Sequence, residues 1–95
     1  MNIERFIPEG KANAISREVL ATRLGLTDRQ VRRMIEEARE RGELIVNDGD
    51  GEGYYLASDI GQIERQYRKD RARALAVLKR LKTMRQKLKE AGKEV

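Results

Sequence analysis

The chain has 95 residues, 39% of them charged and 4% aromatic, with no cysteine and no histidine. That leaves room for one small aliphatic domain and one further element, excludes disulfides and cysteine metal sites, and removes the most common zinc ligand and general base. Net charge is +5, but residues 1–58 hold 9 Lys+Arg against 11 Asp+Glu while residues 59–95 hold 12 against 5, so the basic excess belongs to the C-terminal part.

No run reaches the length that spans a bilayer, and Met1–Pro8 carries Glu4 and Arg5 where a signal peptide would have an apolar core. A cytoplasmic chain without membrane contact, cofactor, metal or evident small-molecule substrate is expected. Independent catalysis is not.

In chain order, Ile3, Phe6 and Ile7 fall at helical spacing and predict a short first helix, ended by Pro8-Glu9-Gly10. Ala12–Ile15 is too short for a helix and reads as an extended lead to Ser16, a good N-cap for a helix over Arg17–Leu24. Gly25 then supplies the left-handed residue that ends this helix. Thr27 and Gln30 form the Thr-x-x-Gln capping box of the next helix, which runs from about Asp28 to Arg41 with Gly42 as its stop. Leu20, Leu24, Val31, Met34 and Ile35 are expected to point inward, and small Ala21 marks a close approach of the two helices. This is helix-turn-helix spacing.

After Gly42 the period changes. Leu44-Ile45-Val46 and Tyr54-Tyr55-Leu56 read as two short strands flanking a turn-rich loop, with one tyrosine facing the core and the other covering the sheet. Ser58-Asp59 caps a last helix from Ile60 to about Ala91. Its heptad places Ile60, Tyr67, Ala74, Leu81 and Leu88 at one seam position, and Ile63, Asp70, Val77, Met84 and Ala91 at the other. Ile60, Ile63 and Tyr67 are expected to pack on the first helix, while Ala74, Val77, Leu78, Leu81, Met84 and Leu88 meet another chain. The fold class is therefore mainly α with a small β-hairpin, divided into residues 1–58 and a basic helix over 59–95.

Three stretches resemble one family. Gly51-Glu52-Gly53-Tyr54-Tyr55-Leu56 is similar to the G-x-G-Y-x-L wing of biotin-ligase-type winged helix-turn-helix domains. Ile15–Leu26 resembles their I-S-x-x-x-L-A-x-x-L-G-L segment, and Thr27–Ile35 their x-x-R-x-V-R-R-x-I recognition helix. The likeness covers residues 14–57, and small proteins of this build with a long C-terminal helix resemble those of bacterial prophages. It implies DNA binding, usually as a dimer, with the third helix in the major groove.

On that helix Arg29, Gln30, Arg32 and Arg33 occupy the first two turns, where the motif reaches base edges. Arginine can grip guanine with two hydrogen bonds and glutamine adenine, while Thr27 and the first helical amides suit a phosphate. The plainer reading is a solvated face in which Asp28 and Glu36–Glu37 supply i,i+4 partners to Arg32, Arg33 and Arg41.

The loop departs from the family, since Asp48, Asp50 and Glu52 stand where a DNA-contacting wing carries basic residues. Asp48, Asp50, Glu52 and Asp59 also match calcium-loop spacing, with glycine at the sixth position, but the loop follows a strand and its last ligand is Asp where Glu is expected.

The expectation is thus a transcriptional regulator that binds double-stranded DNA as a homodimer. The alternative is an interaction or scaffold module of a nucleoprotein complex for replication or packaging, favoured by the acidic loop.

Overall fold

The computed structural model describes residues 2–48 and 53–95. Three α-helices and one antiparallel hairpin follow in the order α1 (Arg17–Leu24), α2 (Asp28–Glu40), β1 (Ile45–Asn47), β2 (Tyr54–Leu56) and α3 (Ile60–Glu90). The mainly helical class, the hairpin and the long last helix are as the sequence predicts.

Local chemistry sets the ends of the helices. Ser16 Oγ accepts from Val19 N at the start of α1, and Gly25 closes it at φ 65°. Thr27 and Gln30 make the reciprocal capping box of α2, each side chain accepting the other residue's amide. Asp59 caps α3 by accepting from Gln62 N.

The first segment is tighter than its periodicity predicts. Ile3–Phe6 is a single 3-10 turn, and Ile7 is already extended because Pro8 disfavours helical backbone before it. Ile3 and Ile7 are buried, but Phe6 is 47% exposed. Lys11–Asn13 forms a second 3-10 turn where an extended piece was expected, and bridges to the hairpin are made on either side of it, by Glu9 to Leu56 and by Ile15 to Tyr54. Ile15 exchanges both backbone hydrogen bonds with Tyr54, at 2.9 and 2.7 Å, and so adds a third member to the hairpin.

The core is one aliphatic cluster: Ile3, Ile7, Ile15, Leu20, Val31, Ile35, Ala38 and Ile45, with Tyr54. Ala21, Leu24 and Met34 are half-buried against it, so α1 and α2 pack along the predicted stripe. Strand β1 is displaced by one residue from its expected place: Ile45 and Val46 are buried, while Leu44 lies before the strand and is 52% exposed. Both tyrosines of β2 are buried, because the hairpin is covered on both faces. Tyr54 joins the helical core, and Tyr55 lies outside that cluster.

The packing of α3 corrects one expectation. Ile60 is 79% and Tyr67 62% exposed, so neither is held in the domain. Helix α3 rests instead on β1 through Gln66, while Gln62, its other buried side chain, holds Ser58. Gln66 Oε1 accepts from Asn47 N at 3.0 Å, and Lys69 Nζ donates to Asn47 O. Gln62 Oε1 accepts from Ser58 N at 2.7 Å. The outer edge of β1 would otherwise leave backbone groups unpaired, and α3 satisfies them with polar side chains.

Candidate nucleic-acid interface

The first half of α2 carries the predicted contact residues on its outer face. Thr27, Arg29, Gln30, Arg32 and Arg33 are all exposed, opposite buried Val31 and Ile35. At i,i+3 and i,i+4 spacing, Arg29, Arg32 and Arg33 share one surface.

The expected salt-bridge partners are mostly engaged elsewhere. Asp28 accepts from Arg17 Nε at 2.8 Å, and Arg17 also donates to Tyr54 Oη at 3.2 Å, tying the starts of α1 and α2 to the hairpin. The Tyr54 hydroxyl first, and Asp28 second, hold Arg17 more firmly in its charged form. Glu36 pairs with Arg39, whose guanidinium stacks over the Tyr54 ring and donates to Ile45 O. Arg41 reaches back to both carboxylate oxygens of Glu4. Among the described residues no carboxylate pairs with Arg29 or Arg32, and Arg33 meets Glu37 only at 3.9 Å.

Thr27 and Gln30 are committed differently. Gln30 Oε1 is held by Thr27 N at 2.8 Å, so bidentate reading of adenine would cost the capping box. The amides of Asp28 and Arg29 precede the first intrahelical bond, which Val31 N makes to Thr27 O, and stay available to an anion.

The loop acid that can be placed does not face outward. The Asp48 side chain is only 15% exposed; Oδ1 accepts from Tyr55 Oη at 2.8 Å and Oδ2 meets Lys11 Nζ at 3.1 Å. Asp50 and Glu52, two of the four residues with calcium-like spacing, lie outside the described residues. Asp48 is thus half-buried and neutralised, so it is neither a tip charge repelling phosphate nor an uncommitted cation ligand.

The Tyr55 hydrogen bond, and then Lys11, hold the Asp48 carboxyl below its ordinary value. A depressed folded pKa contributes stability that is full above the unfolded value of about 4 and is lost as pH falls through the folded one. Thermal unfolding should therefore shift downward as pH falls below about 5. Asp48→Asn should flatten part of that slope, Glu4 supplying another part through its own lowered pKa. An unchanged slope in the variant would contradict the assignment.

The second predicted set lies on the free part of α3. Every residue from 70 to 95 is exposed, including Ala74, Val77 (41%), Leu78 (59%), Leu81 (49%), Met84 (53%) and Leu88 (42%). Sequence reasoning missed Arg17, Gln62, Gln66 and Lys69. Arg17 meets an acid eleven residues away, and a hydrophobic period is blind to glutamine. No protein-family model, curated protein or solved structure matches the chain.

Proposed function

We propose that this chain binds double-stranded DNA in the manner of a winged helix-turn-helix transcription regulator, inserting the first two turns of α2 into the major groove and acting as a homodimer joined along α3. The observation that supports this reading most is the outer face of α2. Arg29 and Arg32 stand exposed and, among the described residues, without a carboxylate partner, while Asp28 and Glu36 beside them are taken up by Arg17 and Arg39. A merely solvated helix face would use those acids on its own arginines. Two guanidiniums held clear of acids on a rigid, capped helix suit bidentate contact with guanine O6 and N7.

The basic α3 supplies what the domain lacks. With a net −2 over residues 1–58, that part of the chain has little of the positive excess that attracts DNA in general. Residues 59–95, at +7, provide it, and pairing two copies doubles both terms.

The test is a mobility shift at low salt, followed by selection from a random duplex pool. Bulk duplex should be retarded in a strongly salt-dependent way, and selection should enrich one motif. A folded chain that retards no duplex and enriches nothing would overturn the reading.

A further inference from the structure

Beside the junction of α3 with β1 lies a mostly apolar open groove of about 270 Å³. Leu44, Val46, Ile63 and Tyr67 line it, and Glu43 and Asp70 stand among them as acids. Leu44 and Tyr67 are 52% and 62% exposed, too much apolar surface for a finished face. The groove is continuous with the seam of α3, because Ile63, Tyr67, Ala74, Leu81 and Leu88 repeat along one side of the helix.

We infer that the C-terminal half of α3 from a second copy docks antiparallel along this seam and into this groove, so that each chain covers the other's; this specifies the dimer assumed in the proposed function. The segment Leu81-Lys82-Thr83-Met84-Arg85-Gln86-Lys87-Leu88-Lys89 has the complementary chemistry, apolar residues at seam spacing with basic flanks. It cannot serve its own groove. Met84 lies seventeen residues beyond Tyr67 on the same continuous helix, about 26 Å away along the axis. Only another molecule can bring it there.

Charge sets the direction. In a parallel pair the seven Lys and Arg of residues 79–95 would lie beside their own copies with two acids among them, Arg80 next to Arg85. An antiparallel pair with Tyr67 against Met84 sets Ile63 by Leu88, Asp70 by Leu81, Ala74 by Val77 and Glu64 by Arg85, and carries each basic segment past Glu43 of the other chain. Arg73 approaches Arg80 in this register, but Asp70 already pairs with it. The arrangement is two-fold and closes on itself. Since α3 is anchored near Gln66, the two anchor points lie roughly 30 Å apart, comparable with the about 34–36 Å between half-sites one DNA turn apart.

The chain has no cysteine, so engineered thiols report the register directly. Tyr67→Cys and Met84→Cys fall on exposed positions and leave the domain core intact. Refolded together and oxidised, the two variants should give a disulfide-linked dimer, while neither does so alone, because identical sites lie about 26 Å apart in the antiparallel pair and a disulfide needs Cα atoms within about 7 Å. Cross-linking of each variant with itself, and no disulfide joining the two different variants in the mixture, would establish a parallel pair and overturn the inference. A full-length chain that sediments as a monomer and cross-links in no sample would overturn it too. DNA retardation by that monomer would leave the DNA-binding reading standing, so the two can fail separately.

Discussion

Gly53→Ala is expected to cost about 2–5 kcal/mol of folding stability, read as a shift of the urea midpoint by circular dichroism. Gly53 has φ 99°, a conformation that a side chain makes costly, and a Cβ there would lie 2.5 Å from both the carbonyl carbon and oxygen of Ile15. These are backbone atoms of the residue that exchanges two hydrogen bonds with Tyr54, so the neighbour cannot rotate away. Strain of roughly 1–3 kcal/mol would add to the weakening of those two bonds, each worth about 0.5–1.5 kcal/mol. For a small domain with a total of about 5–15 kcal/mol, that removes much of the margin. Gly92→Ala is the control: φ is 81° there, but nothing lies within 4 Å and the position is exposed at the end of α3. A loss at Gly53 no larger than at Gly92 would mean that the close passage of Ile15 is not rigid.

Replacing Arg29 and Arg32 together by alanine should abolish preference for the selected site. Each bidentate arginine contributes about 1–3 kcal/mol of discrimination, so the pair is worth roughly 30-fold to 10⁴-fold on that site. Binding to unrelated duplex at low salt should fall far less, since the basic residues of α3 remain. Neither guanidinium makes an ion pair among the described residues, so the fold should be unaffected and the change belongs to the interface. Equal loss on the site and on bulk duplex would make both arginines phosphate contacts. Arg33→Ala should be the milder change, as Arg33 is drawn toward Glu37 at 3.9 Å.

Much of the architecture was legible in the sequence because its signals are local. Ser16, Gly25, the Thr27–Gln30 box and Asp59 each act within a few residues, and α1, α2 and α3 begin where those residues say. The apolar period of α2 placed Val31, Met34 and Ile35 on its inner side for the same reason, and of these Val31 and Ile35 are buried and Met34 half-buried. The exposed arginines were legible as what that period leaves over.

Other features depend on which distant groups meet. Nothing in residues 60–70 marks Gln62, Gln66 and Lys69 as the face that holds α3, because their role is to satisfy Asn47 and Ser58, which only folding brings near. By hydrophobicity Ile60 and Tyr67 were the better anchors, and they are left exposed. Asp48 reads in sequence as one of three loop acids, yet Tyr55 and Lys11 draw it inward.

The Thr27–Ile35 helix and its caps are thus determined by sequence alone, through contacts within one or two turns. Which of its charges stand without an acid among the described residues was decided by tertiary structure. The acids that would have quenched them, Asp28 and Glu36, are held by Arg17 from another helix and by Arg39, itself fixed on the hairpin.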